Sequence, residues 1–224
     1  YNNPESGGWI EAAGFRKAKD LYSFRGPVPE RPPETFSRVA AIAKRRERVS
    51  IRPLEMKRFH EELGRVKEVY NAAWERNWGF VPMTEGEIDH MAKQLKPAVV
   101  SDLVRFAEVD GVPVGFALIV PDVNVALHPL RGRLFPFGVV RLHWSLPRIR
   151  EMRFMALGVK REYLRKGIGA LLVEDLARVT HRLGYTEVEV GWTLEDNDSV
   201  NDIITGLGLE RTGVYRSYEK RVGP

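Results

Sequence analysis

A segment in the C-terminal half of the chain, residues 157–170, reads LGVKREYLRKGIGA. The segment predicts the end of a strand, a turn rich in cations, and an amphipathic helix that begins at Gly167. Glycines let backbone N–H groups approach a ligand, and the first N–H groups of a helix have no partner inside it. Together with Arg165 and Lys166 they predict a site for a diphosphate. A tight turn with a solvated basic pair is the alternative.

The patterns around this segment predict alternating strands and helices. Thr84 and Glu87 form a capping box at the start of a helix, and Asp110-Gly111 between two apolar runs predicts a hairpin. The predicted strands are 49–54, 104–109, 112–120, 152–159, 185–192 and 213–220, and the predicted helices are 34–47, 56–74, 84–95, 167–183 and 199–206.

Composition limits the kinds of protein that this chain can be. The chain has 224 residues, of which 43% are hydrophobic and 29% charged, as expected of a globular protein with a real core. It has no cysteine, which excludes disulfides, thiolate zinc sites and a thiol nucleophile. The net charge of +5 favours anionic ligands but does not by itself indicate nucleic acid. No apolar run approaches the roughly 20 residues of a membrane span.

The segment from Leu164 to Leu172 resembles the pyrophosphate loop of the GCN5-related N-acetyltransferases, the GNAT superfamily, in a bacterial-type form. The usual pattern is Gln/Arg-x-x-Gly-x-Gly/Ala. Here Leu164 stands at its first position, and Gly167 and Gly169 stand at the other two. Downstream, Asn197 followed by Leu207-Gly208-Leu209 is similar to the family's Asn-x-x-Ala and Leu-Gly-Phe motifs. The resemblance covers residues 48–220.

The resemblance implies an α/β fold with a mixed, mostly antiparallel central sheet flanked by helices. It also implies that this sheet splays between the strand ending at Val159 and strand 185–192 to admit acyl-CoA. The cofactor's pantetheine arm would bond to backbone groups of Leu157 and Val159. The residues that we predict to bind the cofactor are Leu157, Val159, Leu164, Arg165, Lys166, Gly167, Ile168, Gly169, Ala170 and Asn197. We expect Gly167→Glu to abolish binding while leaving the protein folded.

The function that the resemblance implies is transfer of an acyl group, acetyl as the first choice, from CoA to an amine that attacks directly. The alternatives are an N-acyl amino acid synthase-like enzyme with long-chain donors and a non-catalytic module that binds acyl-CoA. Many members carry a tyrosine as general acid where this chain has Ile204. The catalytic residues are left unassigned, with candidates Glu108, Glu151, Glu187, Glu189, Glu195, Tyr215 and Tyr218.

The predicted partners are acyl-CoA, as co-substrate, and a small-molecule amine. We predict no metal, because the five histidines lack metal-ligand spacing, no nucleic acid and no transmembrane segment. A homodimer is left open. The predicted location is the cytoplasm. The aromatic-rich link 74–82 lines the acceptor site in the family, with core packing as the alternative.

Three regions make up the predicted domain organisation. Residues 1–25 are interpreted as the tail of a preceding GNAT-like unit, because Asn3 to Gly14 and Asn197 to Gly208 span the same interval; chance is the alternative. Residues 26–47 form a Pro-rich linker and a basic helix, whose run Lys44–Arg46 is either a solvated face or a patch for an acidic partner. Residues 48–224 form the acyltransferase domain.

An insertion at about 121–150 interrupts that domain and combines apolar residues with arginines. We predict an irregular segment that forms a lid over an acyl chain, a membrane-surface patch, a dimer interface or a buried excursion. Its relevant residues are Arg131, Arg133, Leu134, Phe135, Phe137, Val139, Val140, Arg141, Leu142, Trp144, Arg148 and Arg150.

Overall fold

A computed structural model of the chain describes residues 3–97, 99–131 and 137–221; Arg133, Leu134 and Phe135 of the insertion lie outside these ranges. The chain forms two compact units. The smaller combines Tyr1–Gly26 with Glu189–Pro224, and the larger is Pro27–Val188. The N-terminal segment is therefore grouped with the C-terminal part of the chain, a division different from the predicted boundary at residue 48.

The larger unit is a four-stranded antiparallel sheet with helices on it. Its strands lie in the order β2-β3-β4-β5. They are β2 (Val49–Pro53), β3 (Val104–Val109), β4 (Val112–Pro121) and β5 (Glu151–Val159). The helices are α2 (Glu34–Arg46), α3 (Phe59–Trp74), α4 (Glu85–Leu95), α5 (Val123–Leu127), α6 (Gly138–Ser145) and α7 (Ile168–Arg182).

Alternation along β4 separates two core layers. Phe116 is buried with Phe106 and Val69, on the side where α3 packs. The preceding residue, Gly115, faces the opposite side, where an added Cβ would touch Ile168 and Leu172 of α7 at 3.3 Å. Helix α2 packs on α7. The larger unit thus places α3 on one face of its sheet, and α7 with α2 on the other.

The smaller unit is built around a long antiparallel strand pair. Strand β1 (Arg16–Pro27) runs beside β7 (Glu210–Glu219), from Arg16 opposite Glu219 to Arg25 opposite Glu210. Helices α1 (Ser6–Ala12) and α8 (Asp198–Gly206) precede these two strands, and β6 (Glu187–Leu194) adjoins β1. The whole is an α/β fold with a mixed, mostly antiparallel sheet flanked by helices, which confirms the predicted fold class.

Several predicted elements differ from those observed; the last strand, β7, for example, begins at Glu210 and not at residue 213. The insertion was expected to be irregular, but its described part contains α5, α6 and two 3₁₀ segments, His128–Leu130 and Leu146–Arg148. Strand β6 begins two residues later than predicted. The reason is that Tyr185 and Thr186 donate their N–H groups to the carbonyls of Thr180 and Arg150.

Candidate functional site

The predicted pyrophosphate segment forms an open helix N-terminus in the larger unit. After β5, a 3₁₀ segment (Arg161–Lys166) leads to Gly167, whose φ of +79° is in the left-handed region. Helix α7 follows with no side chain capping its first N–H groups and no acidic residue in its first turn. A Cβ built on Gly169 would meet no atom within 4 Å. An anion can therefore reach the backbone at the start of α7.

The two glycines of the motif have different roles. A Cβ on Gly167 would lie 2.8 Å from Cγ1 of Val39 and 3.2 Å from Cβ of Ala43, both in α2. Gly167 is thus required by its positive φ and by the close approach of α2, whereas Gly169 borders open space. The expectation that Gly167→Glu leaves the fold intact is wrong, because a side chain there is both strained and blocked by α2.

The cations of the segment also differ from one another. Lys166 Nζ bonds to Glu47 Oε2 at 2.9 Å and lies 4.5 Å from the centre of the Tyr163 ring. The hydrogen bond to Glu47 raises the pKa of Lys166. Arg165 is exposed, and the described part of the chain offers it no ion-pair partner. Leu164, at the position where the family has Gln or Arg, is 60% exposed. Arg165, like the exposed Arg161 at the start of the same segment, is therefore free to meet an anion at this turn.

The backbone of β5 leaves the predicted groups unpaired with β4. Lys160 N–H donates to the Val114 carbonyl at 2.8 Å, and Val159 lies opposite Gly115 and Leu157 opposite Ala117. Hydrogen-bonded and non-hydrogen-bonded pairs alternate along antiparallel strands. Leu157 and Val159 are therefore at non-hydrogen-bonded positions, and their N–H and C=O groups point away from β4. This direction is the one that the pantetheine prediction requires.

Between these two residues, Gly158 supports an aromatic cluster. The Trp74 ring lies so close to Gly158 that an added Cβ would be 2.7 Å from Cη2 of Trp74. Trp74 also packs on Phe116 and Tyr70, with ring centres 6.0 and 4.7 Å apart. Trp74 is thus a packing residue of the core next to β5. Farther along the aromatic link, Trp78 and Val81 are 50% and 75% exposed.

Several candidate bases are held by cations. Glu108 is buried and accepts hydrogen bonds from Arg52 Nε and Arg65 Nη1, each at 2.9 Å. Arg52 also binds both carboxylate oxygens of the fully buried Glu62, at 2.7 and 3.0 Å, which raises the pKa of Arg52. This network fixes β2, β3 and α3 together. Both arginines bind Oε1 of Glu108, so this buried carboxylate is part of a structural ion-pair network.

Of the remaining predicted residues, Glu151 and Glu187 lie in the larger unit, and the others belong to the smaller unit. Glu195 bonds to Lys17, which lowers the pKa of the Glu195 carboxyl. Asn197 occupies the N-cap position of α8, and Ile204 is buried at 5% exposure. Ile204 therefore supplies no proton donor and serves the core of this unit.

A cavity of about 390 Å³ lies between Tyr22, Thr205 and Arg211, and none of its lining residues is a predicted site residue.

The described residues contain neither a metal-binding cluster nor a helix that could span a membrane. Residues 3–97, 99–131 and 137–221 contain no group of three or more His, Asp or Glu side chains placed to hold a metal ion. Within the same ranges, no helix has both the length and the apolar character needed to cross a membrane.

The contacts that sequence reasoning missed are the long-range ones at the loop. The packing of α2 on Gly167 and the bond between Glu47 and Lys166 join positions at least 119 residues apart. Small residues at Ala40 and Ala43, the two buried residues of α2, were a signal of close packing that could have been found.

Comparison with known families decides what kind of protein carries this loop. The model of the acetyltransferase (GNAT) family matches residues 63–203, which include β3, β4, β5 and the complete α7 segment. The chain belongs to the GNAT family. The prediction of the family is therefore confirmed.

Two curated relatives match nearly all of the chain. It is 36% identical to Protein YghO of Escherichia coli (strain K12), with 99% of this chain and 58% of that protein covered. It is 34% identical to a bacterial ceramide synthase of Caulobacter vibrioides, with 94% of this chain and 56% of that protein covered. The chain thus spans little more than half the length of these relatives.

Among solved structures, a GCN5-related N-acetyltransferase from Sphaerobacter thermophilus has the same fold. The TM-score is 0.66 at 16% sequence identity, over 96% of this chain and 56% of that one. At this identity, the likeness concerns the fold and not the substrate.

Proposed function

We propose that the chain is an acyl-CoA-dependent N-acyltransferase that moves an acyl group from CoA to an amine. The observation that carries the proposal is the uncapped start of α7, with open space at Gly169 and Arg165 free beside it. The coenzyme's diphosphate would accept hydrogen bonds from the N–H groups at Ile168, Gly169 and Ala170. This chemistry fits the residues present, since the site offers donors and positive charge and no carboxylate in the first turn.

In the proposed reaction, the amine nitrogen attacks the thioester carbonyl, the C–N bond forms, and the C–S bond breaks. The amine loses a proton and the thiolate leaving group gains one. The chain's contribution is to position the thioester, with the backbone groups of Leu157 and Val159 holding the pantetheine arm beside β5. The sheet splay at this strand and the role of Asn197 remain predictions, and no residue is assigned as acid or base.

The acyl group and the acceptor are best approached through the relatives. Acetyl is the first choice from the loop motif alone. A long-chain donor is the second candidate, and the name of the Caulobacter relative favours it, because a ceramide is a long-chain amine that carries a fatty acyl group in amide linkage. We propose a cytoplasmic location and retain a homodimer as an open alternative.

A thermal-shift titration tests the binding step. We expect CoA, acetyl-CoA or long-chain acyl-CoA to raise the melting temperature, because a ligand that binds only the folded form stabilises it by about 2.7 kcal/mol at a hundredfold excess over Kd. Gly169→Glu should remove the shift, since its carboxylate would occupy the proposed phosphate position.

Release of free thiol with a panel of amines then distinguishes an enzyme from a binding module, and the donor that reacts fastest identifies the acyl length.

A matched control is available in α4. Gly86, like Gly169, is the second residue of its helix and has no atom within 4 Å of an added Cβ. Gly86→Glu should keep the full ligand-induced shift. The proposal is overturned if Gly169→Glu retains that shift, or if none of the three CoA compounds changes the melting temperature of the wild-type chain.

A further inference from the structure

Helix α6 presents large apolar side chains to solvent. Phe137, Val140 and Trp144 are 80%, 56% and 65% exposed. Phe137 directly precedes the helix in a helical conformation, and the spacings of three and four residues place all three side chains on one side. We call this surface, Phe137 with Val140 and Trp144, the α6 face. Exposed residues of this size on one helix mark an interaction surface.

The sequence segment that contains the α6 face is strongly basic. Residues 123–150 contain five arginines and no Asp or Glu. The net charge of this segment therefore equals the net charge of +5 of the whole chain. Arg141 lies on the same side of the helix, one turn after Phe137. Arg148 follows one turn after Trp144, and its Nη1 donates to the Trp144 carbonyl at 3.3 Å. Among the described residues, neither arginine has a carboxylate partner.

We propose that the α6 face binds the surface of an anionic lipid bilayer. Trp and Phe side chains prefer the boundary between headgroups and acyl chains, while arginines around them attract anionic headgroups. Helix α6 has eight residues and is about 12 Å long, far shorter than the roughly 30 Å of a hydrocarbon core. The helix therefore lies in the interface and does not span it.

Charge argues against a second copy of the chain as the occupant. A two-fold dimer would bring the same surface of both copies together, so Arg141 and Arg148 would face their own equivalents without a carboxylate nearby. An anionic surface, in contrast, neutralises these arginines and covers the apolar side chains at once. The inference concerns a surface of the larger unit and does not depend on the acyl transfer proposed above.

Vesicle co-sedimentation with the 224-residue chain tests the proposal. We expect binding to vesicles that contain phosphatidylglycerol, and binding at least about tenfold weaker to pure phosphatidylcholine or at high salt, because anionic headgroups attract the interfacial arginines and salt screens that attraction. Two variants should each weaken binding to the anionic vesicles at least about tenfold. One is Phe137→Ser with Trp144→Ser, and the other is Arg141→Glu with Arg148→Glu.

Matched controls lie elsewhere on the surface. Trp9 and Val81 are also exposed, at 59% and 75%, and Arg178 and Arg182 have exposed side chains at 70% and 65%. Trp9→Ser with Val81→Ser, and Arg178→Glu with Arg182→Glu, should bind as the wild type does.

Three results would overturn the proposal. The first is a wild-type chain that stays in solution with anionic vesicles at moderate salt. The second is an α6-face variant, folded by circular dichroism, that binds as its control does. The third is a wild-type dimer that becomes monomeric in Phe137→Ser with Trp144→Ser and shows no vesicle binding, which would identify the face as a contact between copies.

Discussion

At Gly158, a single hydrogen in place of a side chain allows Trp74 to pack directly on β5. Gly158→Ala should lower the free energy of unfolding by about 1–3 kcal/mol, because the new methyl group must displace the ring. The double variant, Gly158→Ala with Trp74→Phe, should lose less free energy of unfolding than the sum of the losses in the two single variants. The reason is that the smaller ring leaves room for the methyl group. Guanidinium unfolding of the four proteins measures this coupling.

Gly64 provides the comparison for that prediction. It lies inside α3 with no atom within 4 Å of an added Cβ, so Gly64→Ala should stabilise the protein by about 0.5–1 kcal/mol. A Gly158→Ala protein that is as stable as the wild type, or additive behaviour with Trp74→Phe, would show that the ring does not depend on this glycine.

Among the elements, α2 is the one that supports the proposed phosphate loop from outside. Ala43 packs on Gly167 and is 1% exposed, whereas Ala41 is exposed on the other side of the helix. Ala43→Leu should destabilise the protein by about 1–3 kcal/mol and raise the Kd for CoA, because α2 must move away from the loop. Ala41→Leu should change the stability by less than about 0.5 kcal/mol and leave the Kd unchanged.

Urea unfolding and CoA titration of both proteins check this role. If Ala43→Leu lowers stability while the Kd stays at the wild-type value, α2 holds the fold together without positioning the loop. If neither quantity changes, the packing of α2 on Gly167 contributes nothing measurable.

Elements with a local signal could be predicted from sequence, and contacts between distant elements could not. The capping box of Thr84 and Glu87 is present as expected, and so is the hairpin at Asp110-Gly111, where both residues have positive φ. Each of these signals lies within a few neighbouring residues. Helices α5 and α6, with five and eight residues, are too short to establish a helical period, and Pro129 and Pro147 close to their ends favour a loop interpretation.

The site shows the same limit. The glycine motif predicted where an anion could bind, but Gly167 and Gly169 look equivalent in the sequence. Only the position of α2 shows that one glycine is a packing residue and the other borders open space. Likewise, the sequence alone offers Glu108 as a candidate base. Its bonds to Arg52 and Arg65 could not be predicted, because these arginines belong to other elements.

At the scale of the whole molecule, the two ends of the chain repeat one arrangement within the smaller unit. Helix α1 is followed by Gly14 at φ +84° and then β1, and helix α8 is followed by Gly208 at φ +86° and then β7. The two strands pair antiparallel. Both ends thus have a helix, a glycine with positive φ and a strand in the same order, which supports the interpretation of residues 1–25 as a repeat of the C-terminal part. The assignment of these residues to a preceding GNAT-like unit remains our proposal.

A charge cluster joins these two ends and predicts how acid affects the protein. Asp20 of β1 is 5% exposed, and Arg216 of β7 binds both its oxygens, at 2.8 and 3.0 Å, across 196 residues of sequence. The bond to Arg216, helped by Lys17 and opposed by burial, lowers the pKa of Asp20 from 3.8 to about 2. The carboxylate therefore stabilises the fold fully above pH 3.8, and this contribution is lost as the pH falls towards about 2.

Asp20→Asn should accordingly lower the free energy of unfolding by about 2 kcal/mol at pH 7, because Arg216 loses a charged partner. The difference from the wild type should shrink below pH 3.8, since only the wild type has this carboxylate to protonate. Urea unfolding at pH values from 7 to 2.5 measures both effects, with Asp202→Asn as control, an exposed aspartate of the same unit. A constant difference across this pH range would mean that Asp20 contributes through packing and not through its charge.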